Sequence, residues 1–186
     1  YTAYAHLARE PALDAVYHYG DYLYETGIRT GPTARKHLTG ELYTLDDYRR
    51  RYAQYKADPD LQAAHAAAAF IVSFDDHEID DNWAGMFDKD GSPEEVFARR
   101  KAAALQAWYE HMPVHRAQMP WHDGVRMYRR FDYGALMRMH VLDTRSHRSD
   151  QNCELPGRSR AERERCRPVD RPDRTMLGAV QEQWLD

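Results

Sequence analysis

Two short stretches place metal-binding and proton-transferring side chains in tight groups: Gly20-Asp21-Tyr22-Leu23-Tyr24 and Asp75-Asp76-His77-Glu78. The carboxylate of Asp21 can bridge two cations, one on each oxygen. Tyr24 follows three residues later, so a tight turn can aim its phenol at the same centre. A phenolate is a hard anionic ligand that suits a ferric ion better than zinc. Asp76 can hold a second metal, and His77 can stand over a bound phosphate as general acid or hydrogen-bond donor. Two metals bracketing a hydroxide lower its pKa and hold the attacking and leaving oxygens of a phosphoryl centre, with no protein nucleophile needed.

The elements around these residues can bring them together. The stretch from Leu13 to Tyr19 is rich in aromatic and β-branched residues and is stopped by Gly20, which predicts a strand. Phe70 to Phe74 is a short apolar run that predicts a second, buried strand ending at Asp75. Between them, Thr44 to Ala57 predicts an amphipathic helix capped by Thr44, and Asp58-Pro59 opens another that runs to about Ala68. A helical crossover of this length makes the two strands parallel, and ligands of open α/β sheets bind beyond the carboxyl ends of parallel strands. Both acidic groups would then face one crevice.

Further along, Ser92-Pro93-Glu94-Glu95 reads as a capping box opening a helix to about His111. Val125 to Phe131 and Ala135 to Leu142 alternate and predict a hairpin turning at Asp132-Tyr133-Gly134. Asp143 to Arg174 reads as a long polar loop, and Thr175 as the start of a last helix. Strand, helix, helix, strand, helix, hairpin is an α/β order.

Composition sets bounds on function. The 186 residues include 42% hydrophobic and 30% charged side chains, a globular rather than disordered or membrane composition. The longest apolar stretch, Ala66 to Phe74, is far too short to span a bilayer. A net charge of -4 argues against a general nucleic-acid surface. The basic runs Arg49 to Arg51 and Arg158 to Arg167 are mixed with acids and read as solvated surface. Cys153 and Cys166 lack the spacing of a cysteine-rich zinc site; they either close a disulfide or are free thiols. No G-x-S-x-G elbow or phosphate-binding P-loop is present, and Pro113 between His111 and His115 makes surface histidines of that pair. The pattern alone leaves a second reading open: Asp21 as a turn former, Tyr24 as an ordinary aromatic, and Asp75 to Asp81 as a solvated acidic loop.

Six ordered motifs bear on that choice. Gly20-Asp21-Tyr22-Leu23-Tyr24-Glu25 resembles the G-D-Y-[IL]-Y-E motif of the PhoD-like alkaline phosphatases. Asp75-Asp76-His77-Glu78 and Asn82-Trp83-Ala84-Gly85 resemble that family's D-D-H-E and N-W-A-G. Tyr109 to Pro113 is similar to its Y-E-x-M-P, and Leu142-Asp143-Thr144-Arg145 with Asp150-Gln151 to its L-D-T-R and D-Q. Arg174 to Gly178, with Gln181 and Trp184-Leu185, is similar to its R-T-M-L-G-x-x-Q-x-x-W-L. The Asp-x-x-Tyr arrangement also resembles that of purple acid phosphatases, with Asp76-His77 in place of their Asn-His pair.

The resemblance implies a phosphomonoesterase and phosphodiesterase, exported by a bacterium and using iron (Fe3+) and calcium. It implies an α/β layered mixed sheet flanked by helices, the calcineurin-like αββα type, with residues 1–186 as the N-terminal to central part of one domain. By motif position Asp21 and Tyr24 would bind iron, Asp21 would bridge to calcium, Asp76 would bind calcium, and His77 would act at the phosphate. Asn82 falls in a motif position and is a candidate metal ligand. Arg145 would either fork onto phosphate or pair with a neighbouring Asp. The family's N-terminal cysteine ligand and C-terminal G-D-x-H segment are expected outside this chain, which starts at Tyr1 and ends at Asp186 and reads as cut at both ends. The expected partner is a phosphate-ester substrate. The alternatives are a phospholipase-D-like phosphodiesterase on the same scaffold and a non-catalytic calcium-binding or structural module built on Asp75 to Asp81.

Overall fold

Strand β1 (Ala15–His18) and strand β2 (Ala69–Val72) pair in parallel, Ala15 opposite Ala69 and His18 opposite Val72, in a computed structural model that describes residues 2–33, 35–122, 124–150 and 171–186. The ladder extends one step further, where Ser73 N–H donates to His18 O at 2.8 Å. Asp21 and Asp75 therefore leave the sheet side by side, as the crossover argument predicts. Gln151, Cys153, Cys166 and the run Arg158 to Arg167 lie outside the described residues.

The crossover is helical. A short α1 (Thr2–Leu7), which the sequence reading did not anticipate, precedes β1 and packs on α3. Helix α2 (Leu45–Lys56) starts at Thr44, whose hydroxyl accepts from Asp47 N–H while Asp47 accepts from Thr44 N–H, a reciprocal box that satisfies two otherwise orphan donors. Helix α3 (Pro59–Ala67) is capped by Asp58, which accepts from Asp60 and Leu61 N–H. Helix α4 (Glu94–His111) packs on α2. Its expected cap at Ser92 is not made: Pro93 takes the cap position, and Ser92 N–H donates to Asp88 instead.

The core lies between α2, α4 and β2. Tyr48, Tyr52, Phe97, Leu105 and Trp108 meet Phe70, Val72, Phe74 and Trp83, all buried. Phe74 sits edge-on to Trp108 at 5.6 Å between ring centroids. His111 is not a surface residue as its spacing suggested; it is half-buried and stacked on Tyr52 at 4.9 Å, while His115 is exposed.

Arg51 corrects the reading of its basic run as solvated surface. It is fully buried, and its guanidinium donates to the carbonyls of Tyr24, Thr26 and Gly40 and to the Thr39 hydroxyl. Its two terminal nitrogens are matched by oxygen acceptors, which offsets much of the cost of burying the charge, while Nε has no partner. Arg51 thereby ties the chain after Asp21 to helix α2.

Strands β3 (Arg129–Tyr133) and β4 (Met137–Val141) form the predicted hairpin, turned later than expected. Asp132 stands opposite Arg138 in the ladder and pairs with it at 2.6 Å, so the loop is Gly134 to Leu136, opened by Gly134 at φ +56°. The last helix, α5 (Ala179–Leu185), begins after Gly178 rather than at Thr175, whose hydroxyl accepts from Gly178 N–H. The described residues thus hold helices and two separate two-stranded sheets, an α/β arrangement. Among them, no helix is long and apolar enough to cross a membrane.

On α3, His65 hydrogen-bonds with Tyr22 Oη at 2.9 Å and stacks on Phe70 of β2 at 3.9 Å. Burial, with the charge of Lys56 and the nearby His18, pushes its pKa down to about 4, below the ordinary 6.5. The unfolded chain therefore binds a proton more readily than the folded one, so stability falls as pH drops from about 6.5 toward 4 and levels off below. The half-exposed ring limits this loss to about 1–2 kcal/mol. Thermal melts of the full-length protein across this range should show that His65→Gln removes this part of the acid destabilisation.

Candidate metal centre

Gly20 allows the two loops to approach. It sits at φ +120°, and a Cβ there would lie 2.3 Å from Asp75 N. Only glycine fits both the backbone angle and the contact. The next residue, Asp21, is itself left-handed at φ 55°, which turns its carboxylate back toward the β2 loop.

Two carboxylates then join the loops, each reaching from one into the other. Glu78, from the β2 loop, accepts Tyr22 N–H at 2.6 Å and Asp75 N–H at 2.9 Å. Glu25, from the β1 loop, accepts Asp81 N–H at 3.1 Å and holds His77 Nδ1 at 2.7 Å. Both are 1% exposed. Burial pushes Glu78 up to about 7 despite the backbone donors that favour its charged form. Burial also opposes the charge on Glu25, but the hydrogen bond and charge of His77 outweigh it and leave Glu25 below its usual value. Burial lowers His77, whereas Glu25, Asp76 and Asp21 raise it more, to about 9.

Asp21, Asp76 and His77 are brought together: one ligand atom from each lies within 4.8 Å of the others. Asp76 is buried, Asp21 and His77 are half-buried, and Asp21 Oδ1 is buried with no hydrogen-bond partner. A solvated acidic loop does not describe this stretch, because Asp76, Glu78 and Asp80 are 6%, 1% and 0% exposed. Tyr24 joins the group: its hydroxyl donates to Asp21 Oδ2 at 3.0 Å, and its ring lies 4.2 Å from the His77 ring. Burial and the hydrogen bond to Asp21 push the phenol above its ordinary value, so it holds its proton here.

Arg145 follows β4 and crosses to the same place. Its Nε donates to Asp75 at 2.6 Å, Nη2 to Asp76 at 3.2 Å and Nη1 to the Trp83 carbonyl at 3.3 Å. This is the ion pair with neighbouring Asp residues that the sequence left open. Arg145 is held in turn by Asp143, which accepts its N–H at 3.1 Å, and Gln181 of α5 makes both backbone bonds of Asp143 at 2.8 Å. Asn82 reaches the centre through its backbone: at φ 57° its N–H donates to Asp76 Oδ2 at 2.7 Å, while its side-chain amide donates to Asp81.

A buried carboxylate oxygen without a partner, beside a second buried carboxylate and an imidazole, is a donor set suited to a hard or borderline cation. A second acidic group, Asp80, Asp88 and Asp90, also holds a buried oxygen without a partner, Asp80 Oδ2, but its charge is already met by cations. Lys89 already pairs with Asp80 at 3.2 Å and Asp90 at 3.4 Å, and Arg100 with Asp80 at 3.0 Å.

Comparison with known proteins identifies the family. The family model for the PhoD-like phosphatases matches residues 1–186. This chain belongs to the PhoD-like phosphatase family. It is 45% identical over 190 residues to alkaline phosphatase D of Bacillus subtilis (strain 168), covering all of this chain and 31% of that protein. A solved structure described as that of PhoD matches with a TM-score of 0.84 at 43% identity, covering 99% of this chain and 35% of that one. The chain thus spans about a third of the length of these relatives. Sequence reasoning missed Glu25 and Glu78 as the residues that join the loops, although both stood inside quoted motifs.

Gly20→Ala should lower stability by more than about 2 kcal/mol, because a left-handed backbone penalty adds to a clash with backbone atoms. Chemical denaturation of the full-length protein measures it; a loss under about 0.5 kcal/mol would show that the two loops do not meet as described.

Proposed function

We propose that the full-length protein is a metal-dependent hydrolase of phosphate monoesters and diesters, with these residues forming part of a binuclear centre. The observation that carries this reading is the unpartnered buried Oδ1 of Asp21 beside Asp76 and His77, in a chain of the PhoD-like family. Asp21 would bridge two cations, Tyr24 would add a phenolate to a ferric ion, Asp76 would hold calcium, and Asn82 would add to that side of the centre. When bound, such a pair of cations activates water for attack on phosphorus and neutralises the charge that develops there.

The chain's own residues do the rest. Tyr24 must give up the proton it now shares with Asp21 for its oxygen to become an anionic ligand. His77 presents Nε2, on the side away from Glu25, as a hydrogen-bond donor to a phosphate oxygen or leaving group. Arg145 keeps Asp75 and Asp76 in place; its three guanidinium nitrogens are already engaged, which favours this role over a direct fork onto phosphate. The remaining ligands would come from parts of the protein outside this chain. The layered αββα core, with residues 1–186 as its N-terminal to central part, and export from a bacterial cell belong to the same proposal and rest on the family resemblance.

In the full-length protein, Asp21→Ala should abolish hydrolysis of an aryl phosphate, lowering kcat/KM by at least about a thousandfold. An unchanged rate removes the bridging role. Tyr24→Phe should bleach the visible phenolate-to-iron absorption of the iron-loaded protein; a spectrum retained in that variant means that another residue supplies the phenolate, or that none does.

A further inference from the structure

Glu25 is used by no step of the mechanism above, yet it is a carboxylate 1% exposed, 2.7 Å from His77 Nδ1. We propose that Glu25 is a positioning residue that fixes which nitrogen of His77 works: it keeps Nδ1 protonated and engaged, and turns Nε2, with its own proton, toward Asp21 and Asp76. This deepens the phosphoester-hydrolase reading and rests on it for its kinetic consequence.

Three contacts fix the imidazole. An ionised carboxylate only accepts hydrogen bonds, so the bond to Glu25 Oε2 requires the proton to sit on Nδ1. The ring of Tyr24 covers the imidazole at 4.2 Å between centroids, which restricts its flipping. Nε2 is thereby left 4.0 Å from Asp76 Oδ2, at the centre. Glu25 is itself fixed, because its other oxygen accepts Asp81 N–H at 3.1 Å. A hydrogen-bonded carboxylate behind a working histidine orients the ring and sets its tautomer, and removing such a partner typically costs about 10–100-fold in function.

The substitution Glu25→Gln is informative because an amide has one acceptor where the carboxylate has two. If its oxygen serves Asp81 N–H, its N–H₂ faces Nδ1, which must then be bare, so the ring can no longer carry protons on both nitrogens. If it serves His77, Asp81 loses its partner.

The test uses the full-length protein, reloaded with calcium and iron for kinetics and with calcium alone for nitrogen NMR of the His77 ring. Glu25→Gln should lower kcat for an aryl phosphate by about tenfold or more while KM stays within about twofold. In a His77→Ala background the same substitution should have no further effect on kcat, since Glu25 acts through the imidazole. The wild-type His77 ring should carry a proton on Nδ1 as well as on Nε2, and the Gln variant should lose the Nδ1 proton or show both forms. Two results overturn the inference: an additive loss in the double variant, which marks Glu25 as a loop support alone, or a wild-type ring protonated on Nε2 and bare at Nδ1. A wild-type protein that hydrolyses no phosphate ester would sink the functional reading, and the ring spectrum would still decide the placement of His77.

Discussion

The centre depends on an exchange of buried carboxylates between the ends of two parallel strands. Glu78 accepts backbone N–H groups from Tyr22 and Asp75, while Glu25 reaches the opposite way to Asp81 and His77. Neither loop can hold its shape alone, because each carries donors that only the other's carboxylate satisfies. Losing either partner leaves a buried polar group unpaired, which costs more than the bond itself contributes. Gly20 makes the exchange feasible by letting the loops meet backbone to backbone.

Around this pair, buried cations are placed where negative charge and carbonyl oxygens gather. Arg51 binds the carbonyls that follow Tyr24, Arg145 spans Asp75 and Asp76, and Arg100 joins Asp80 to Glu41 and the Tyr48 hydroxyl. Arg51 and Arg100 tie loops to helices packed in the core, and Arg145 ties the loop after β4 to the loop after β2. Even α5, distant in sequence, reaches the centre through Gln181, Asp143 and then Arg145. Asp80 and Asp143 each keep one buried oxygen without a partner, and so does Asp21, whose other oxygen has the Tyr24 hydroxyl and which alone of the three lies beside Asp76 and His77.

Much of the frame was legible because its signals are local. The aromatic, β-branched run before Gly20, the Thr44–Asp47 box and Asp58-Pro59 each state their element within a few residues, and the parallel pairing follows from the crossover between them. The errors came where a local signal had a competitor. Ser92 lost its capping role because Asp88 takes its N–H and Pro93 takes the cap. The hairpin turned late because Asp132 gains an ion pair with Arg138 inside the ladder. Arg51 looked like its two neighbours in a basic run, and only the fold reveals the carbonyls it meets 11 to 27 residues away. Glu25 and Glu78 act across more than 50 residues, a distance at which spacing conveys nothing. The metal-facing residues themselves were legible as types, and their assembly was not.

Diffraction from crystals of the full-length protein, with anomalous data at the iron edge, tests the central claim most directly. An iron peak within bonding distance of the Asp21 carboxylate and the Tyr24 phenol, with Asp76 on its far side, is the predicted result. Iron bound at Asp80, Asp88 and Asp90, or anywhere that leaves Asp21 Oδ1 without a ligand, would contradict the account.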